Sequence, residues 1–329
     1  MKALKTRGKY GFGVLFHFTF PLIVLDTYSD YKKVARKLET LEYDSLWFND
    51  HFWTFPEPSG KPVFETLALI SAIAADTETI NLGTLVLAQS YRNPALMAKA
   101  AATIDQISNG RLIFGYGAGW YEGEYRGYGY DYPSAGARLN QLDNAIQLIK
   151  AMWIEDRPSF EGKYYKIEKA ECFPKPIQKP HPPILIGGSG EKKTLRIVAK
   201  YADACNIAGG NLDVFRHKFA VLEEHCKAIN RPISEIRKTI NVFVHIGSTE
   251  KEVKEEVQWY KNNHPREHIR QQSLEEYLAG RVNGTPDQCI DGIQNFLDTG
   301  AEYLILIFPR LGDLKGPELF AKEVLPSFL

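Results

Sequence analysis

An excess of charge of one sign is what this chain most plainly lacks. Its 329 residues carry 40 lysines and arginines against 40 aspartates and glutamates. The overall balance therefore lacks the basic footprint of a nucleic-acid binder or of a protein drawn to an acidic membrane, and a small molecule is the natural partner. Cysteine is scarce as well. Cys172, Cys205, Cys226 and Cys289 are far apart and form no C-x-x-C pair, which argues against a disulfide framework or a zinc knuckle and fits a reducing cytoplasm. Long apolar runs are missing too. The nearest approach is residues 12–25, preceded by Lys2, Lys5, Arg7 and Lys9 in the order of a secretory signal. That stretch is rich in aromatics, is broken by His17 and Pro21, and has no small-x-small cleavage site. It reads as a buried first strand over 11–18, with Phe20 and Pro21 opening a loop, and not as a leader or a membrane span.

What is present is length and alternation. The chain could hold two average domains or one large α/β barrel. Eight short apolar runs, rich in β-branched and aromatic residues, fall at 11–18, 45–49, 80–87, 111–117, 183–187, 203–208, 239–246 and 302–308. Between them lie helical patterns such as 31–41, apolar at Val34, Ala35, Leu38 and Leu41, and 139–152, with Leu142, Ala145, Ile146 and Ile149 on one face. Eight strands alternating with helices favour a closed (β/α)8 barrel, a TIM barrel, as a single domain over 1–329. Six strands in an open doubly wound sheet plus an extra domain is the competing arrangement. Two segments interrupt the rhythm and are expected as insertions after strands four and seven. Residues 155–183 carry six prolines and predict a small hairpin around Glu161-Gly162-Lys163, while 259–272 is polar and reads as a solvent-facing excursion.

In such a barrel function sits where the strands end. Gly115, Gly117 and Gly119 close the fourth run and are expected to supply positive φ and close backbone approach for a ligand. The stretch fails as a dinucleotide fingerprint because Trp120 stands where the last glycine of G-x-G-x-x-G would be. Asn49, Asp50 and His51 follow the second run, and a histidine at the barrel mouth can donate to or accept from a substrate at neutral pH; a loop-tying histidine is the competing reading. Gly187, Gly188 and Ser189 precede a helical pattern over 191–201, where free N–H groups and the helix dipole suit a phosphate. Neither a P-loop nor a nucleophile elbow is completed there, since Lys192 and Glu191 occupy the positions that need glycine. The H-x-x-E-H string at 264–268 lacks an apolar face to hold a metal helix, so no metal site is expected.

These pieces resemble the bacterial-luciferase-like oxidoreductases, whose members use FMN or the deazaflavin coenzyme F420. The likeness spans roughly residues 10 to 310. It rests on WFNDH at 47–51, LGTLVL at 82–87 followed by YRNP at 91–94, NGRL at 109–112 with the glycines up to Trp120, and FEGKYY at 160–165 running through the prolines to PPILIGG at 182–188. The resemblance implies a barrel with the cofactor at its C-terminal mouth and the ring near the third strand, beside a non-prolyl cis peptide near Leu85 and Val86. It implies phosphate contacts from Gly117, Ala118 and Gly119 and from Gly187, Gly188 and Ser189, with Trp120 among the cofactor-binding residues. It implies an Asp50–His51 pair by the ring, with His51 assisting hydride or proton transfer, and a homodimer packed through helices beside strands two and three. In some F420-dependent sugar-phosphate dehydrogenases an acid follows the third glycine. Here Trp120 does, and the nearest carboxylates are Glu122 and Glu124; Glu122 is the candidate for proton transfer. Arg92, Arg138, Lys192 and Lys193 are the rim cations that would suit the anionic tail of F420. The expected activity is F420-dependent hydride exchange with a small organic substrate. An FMN-dependent monooxygenase and a non-catalytic flavin-binding barrel are the alternatives.

Overall fold

Each of the eight apolar runs contributes one parallel strand: β1 Gly11–Phe16, β2 Ser45–Phe48, β3 Asn81–Thr84, β4 Leu112–Gly117, β5 Ile184–Gly187, β6 Ala204–Ile207, β7 Arg237–Ile246 and β8 Tyr303–Ile307. The computed structural model describes residues 4–16 and 25–329, so His17, Phe18, Phe20 and Pro21 lie outside the described residues. Consecutive strands pair in parallel, and β8 pairs with both β7 and β1, which closes the sheet into a TIM barrel. Strands covered on both faces need no polar alternation, which is why the runs are continuous: every residue of β1, β2, β4, β6 and β8 is buried.

The surrounding helices bury one stripe each. Tyr28–Thr40 turns Tyr31, Val34, Ala35 and Leu38 inward and starts at a capping box between Thr27 and Asp30. Ala135–Ile154 buries Leu142, Ala145, Ile146 and Ile149, the face expected for 139–152, and begins four residues earlier because Ser134 caps it. At the barrel floor Arg111 donates to the carbonyls of Ala74, Thr77, Ile80 and Ser108. It thereby satisfies the C-terminal carbonyls of helix Thr66–Asp76, a role at the end of the barrel that reads as stability.

The third run is interrupted. β3 stops at Thr84, the Leu85-Val86 peptide is cis, and Leu87–Ala88 resumes pairing beside Tyr116 and Gly117. This bulge explains two of the three glycines differently from the sequence expectation. A Cβ on Gly115 would lie 1.7 Å from the Thr84 carbonyl oxygen, and one on Gly117 would lie 2.6 Å from Val86 Cγ2. They make room for β3; of the three, only Gly119 has positive φ, at +73°.

After β4 come helices Glu122–Gly127 and Ala135–Ile154 and an antiparallel hairpin of Phe160–Glu161 with Lys166–Ile167, at the position expected for it. After β7 come helices Glu250–Asn263, Glu267–Gln271 and Leu274–Leu278 and a short strand Val282–Gly284 that pairs with the end of β7. That strand was not anticipated, because three residues are too few to show a period. The 259–272 segment is also not simply solvent-facing, since Tyr260, Lys261 and His264 are buried. No helix among the described residues is long and apolar enough to cross a membrane.

Candidate active site

The C-terminal ends of the strands open on a cavity of about 500 Å³. Asp50 and His51 reach it from β2, Leu85 and Val86 from the bulge, Gly117, Ala118, Gly119 and Trp120 from the end of β4, and Gly187 and Gly188 from the end of β5. Ser189 and Glu122 do not line it. Helix Thr194–Tyr201 starts three residues later than the sequence pattern indicated, so the helix-end residue at the cavity is Thr194.

Glu122 sits on the exposed side of its short helix and holds Arg126, at 2.6 and 2.9 Å. The carboxylate that matters to His51 is Glu124, two residues on. Positions i and i+2 of a helix do not share a face, so one glutamate turns out and the other in. Glu124 is 0 % exposed. Its Oε2 accepts from Tyr91 Oη at 2.9 Å and lies 2.9 Å from His51 Nδ1, while its Oε1 accepts from the Phe52 N–H at 2.7 Å and, at 3.4 Å, from that of Trp53. Burial, and then the neighbouring Glu124 charge, push the Tyr91 phenol far above its ordinary range, so it stays a donor. His51 Nε2 has no hydrogen-bond partner among the described residues.

Asp50 lines the cavity but is fully engaged within the protein. Arg92 grips it in a bidentate pair at 2.8 and 2.9 Å, and the Ala88 N–H donates to it at 2.9 Å. The carboxylate ties the exit of β2 to the strand that resumes after the bulge. Arg92 also pairs with Glu65, which withdraws it from the basic rim expected of it.

Asn49 donates from Nδ2 to the Leu85 carbonyl at 3.2 Å, and its Oδ1 is buried with no partner. An orphaned acceptor beside the apolar Leu85 and Val86 fits the edge N–H of a flavin or deazaflavin ring lying on the bulge. The same cavity is lined by Gly188, Thr194, Ala135 and Arg138. Arg138 is buried, stacks 4.1 Å from the Tyr132 ring and donates to the carbonyls of Gly119 and Pro133; none of these partners is an acid. A buried guanidinium with no carboxylate partner among the described residues, beside two helix N-termini, fits the phosphate of such a cofactor.

The wall next to His51 is aromatic. Trp120 meets the imidazole edge-on at 5.9 Å, Phe55 packs on Trp120 and Tyr121 at 5.2 and 5.1 Å, and Arg266 lies 4.4 Å over Phe55. Trp53 and Phe16 are not part of the wall: Trp53 packs on Tyr121 and Tyr128, and Phe16 stacks on Phe48 in the core. Sequence reasoning missed Phe55, Tyr91, Thr194 and Arg266, all brought in by loops or helices whose local sequence carries no strand-end signal. His264 and His268 gather no further ligand, since no group of three or more His, Cys, Asp or Glu that could hold a metal exists among the described residues.

Against this geometry the comparisons with known proteins are consistent. The sequence profile of the luciferase-like monooxygenase family matches residues 10–303. An F420-dependent glucose-6-phosphate dehydrogenase of Amycolatopsis mediterranei is 26% identical over 320 residues, covering 91% of this chain and 94% of that protein. An F420-dependent secondary alcohol dehydrogenase in complex with an F420-acetone adduct superposes with a TM-score of 0.82 at 18% identity, covering 98% of this chain and 99% of the other. The F420-dependent tetrahydromethanopterin reductase of Methanopyrus kandleri gives 0.80 at 20% identity, covering 98% and 100%. The match to the family profile runs through β1 to β7 and reaches the first residue of β8, and the chain belongs to the luciferase-like monooxygenase family.

Proposed function

We propose that this protein is an F420-dependent oxidoreductase that exchanges a hydride with a small organic substrate. The observation that carries the reading is the meeting, in one cavity, of the Leu85-Val86 platform, Arg138 and a histidine backed by a buried carboxylate. The F420 dependence of the curated relatives supports the choice of cofactor. F420 supplies the hydride chemistry when bound. The protein's part is to seat the ring on Leu85 and Val86, accept from its edge at Asn49, hold the phosphate at Gly188, Thr194 and Arg138, and move a proton at His51. Lys192 and Lys193 remain as rim cations for the anionic tail.

The substrate named for the relatives does not come with the cofactor. Phe55, Trp120 and Tyr121 beside His51 form a wall suited to an apolar alcohol or carbonyl compound, and by the resemblance Trp120 takes the place where some F420-dependent sugar-phosphate dehydrogenases carry an acid. Titration of the purified protein with F420 and, separately, with FMN tests the reading. Saturable fluorescence quenching by F420 is expected, followed by turnover with apolar secondary alcohols ahead of glucose 6-phosphate. Micromolar quenching by FMN alone would overturn the choice of cofactor in favour of a monooxygenase, and F420 binding without turnover of any alcohol or carbonyl would point to a binding barrel.

The protein is further read as a cytoplasmic homodimer joined beside β2 and β3. Supporting this, Leu96 and Ile107 lie three turns apart on helix Pro94–Ile107 and are 62% and 44% exposed. Sedimentation equilibrium of Leu96→Glu is expected to show a shift from dimer towards monomer.

A further inference from the structure

We propose that Glu124 is a positioning residue that fixes His51 as its Nδ1–H tautomer, so that Nε2 is the nitrogen presented to substrate. The inference rests on the reading of His51 as the proton carrier. An ionised carboxylate only accepts hydrogen bonds. The 2.9 Å contact between His51 Nδ1 and Glu124 Oε2 therefore requires the hydrogen on Nδ1. The carboxylate itself has no freedom to turn away, because the Phe52 N–H and the Tyr91 phenol pin one oxygen each and no part of the side chain reaches solvent. Trp120 and Tyr121, with ring centroids 5.9 and 6.3 Å from the imidazole, flank the ring.

The tautomer sets what His51 does. In alcohol oxidation the substrate O–H bond breaks and its proton moves to the Nε2 lone pair. F420, bound in its oxidised form, would take up the carbinol hydrogen with its electron pair, leaving a carbonyl product. The imidazolium so formed donates from Nδ1 to Glu124; in the reverse direction Nε2 returns the proton to the nascent alkoxide. An Nε2–H tautomer has no lone pair there to accept the proton.

Two-bond 1H–15N correlation spectra of the 15N-histidine-labelled protein without cofactor read the tautomer directly, with the His51 signal assigned by its loss in His51→Asn. Protonation at Nδ1 is expected. Glu124→Gln is expected to reverse it. The Phe52 N–H at 2.7 Å remains a fixed donor, so the Gln oxygen must face it, and the amide NH₂ then faces the imidazole. Nδ1 must now accept. Tyr91→Phe removes a donor from Glu124 without changing the carboxylate and is expected to keep the Nδ1–H form. With cofactor and alcohol, Glu124→Gln is expected to lower kcat by about 10²–10⁴-fold, as for a wrong-tautomer histidine, with KM changed about threefold or less because the cavity wall is intact. An Nε2–H signal in the unsubstituted protein overturns the proposal, even if Glu124→Gln does not fold. So does a Glu124→Gln protein that keeps Nδ1–H and its turnover. Because the spectra need no cofactor, failure to bind F420 would defeat the functional reading while leaving the tautomer measurable.

Discussion

His51 follows β2 and His245 lies near the end of β7, and each imidazole has a glutamate on Nδ1: Glu124 at 2.9 Å for the first, Glu256 at 3.2 Å for the second. They differ at the other nitrogen. His245 Nε2 is bonded to Tyr277 Oη at 3.0 Å, the residue is 0% exposed, and Tyr260 closes over it at 5.7 Å. Burial lowers its pKa, so it stays neutral as a link between helix Glu250–Asn263 and the Leu274–Leu278 turn. His51 Nε2 has no hydrogen-bond partner among the described residues, and the residue lines a cavity. A histidine beside a carboxylate at a strand end is thus a structural tie or a proton carrier according to whether its second nitrogen is used.

Substitution to Asn should separate the two most sharply. His51→Asn is expected to lower turnover by about 10²–10⁴-fold, the range of general acid–base catalysis, with thermal stability nearly unchanged. His245→Asn is expected to leave kcat within about threefold. Its unfolding free energy in urea should fall by about 1–3 kcal/mol, because Glu256 and Tyr277 lose a buried partner. Equal kinetic losses in the two variants would break the distinction.

Acid should find the strand-seven region next. His264 packs 5.6 Å from Tyr260, which also meets His245 edge-on, and burial brings the His264 pKa down to about 4. Between that value and the ordinary imidazole range the unfolded chain binds the proton and the folded one does not. Stability is therefore full above about pH 6.5 and declines as the pH falls towards 4, by about 1–3 kcal/mol at pH 5. Denaturant midpoints across this window should fall for the unsubstituted protein and fall less steeply for His264→Gln, in which His245, also lowered by burial, still contributes. A midpoint unchanged from pH 7 to 5 would show that His264 does not titrate between the two states.

The barrel was legible because strands buried on both faces need unbroken apolar runs, and all eight runs stand out as such. The break in the third was not legible from periodicity. Leu82 to Leu87 reads as one strand, and only the resemblance pointed to the cis Leu85-Val86 bond around which β3 stops. Gly115 and Gly117 illustrate the same limit: the residue type was informative, but the cause, Thr84 and Val86 pressing from the neighbouring strand, is tertiary. At the site, strand-end residues such as His51 and Gly188 could be found by position. Arg138 could be named as a cation but not distinguished from Arg92, which Asp50 and Glu65 hold.

Glu122 and Glu124 give the smallest expected effect and the finest test of what geometry adds. Both are acids following the same glycine turn, and local sequence favours neither. Glu122 shares its surface with Arg126, an exposed i, i+4 pair worth only a few tenths of a kcal/mol. Glu122→Gln should therefore change kcat by about twofold or less and leave the unfolding midpoint within error, even though it removes a charge two residues from the one that orients His51. A tenfold loss in kcat would mean that Glu122 swings into the cavity when substrate is bound. The proton path would then run through the turn after β4, and the contrast between His51 and His245 would no longer rest on their own second nitrogens alone.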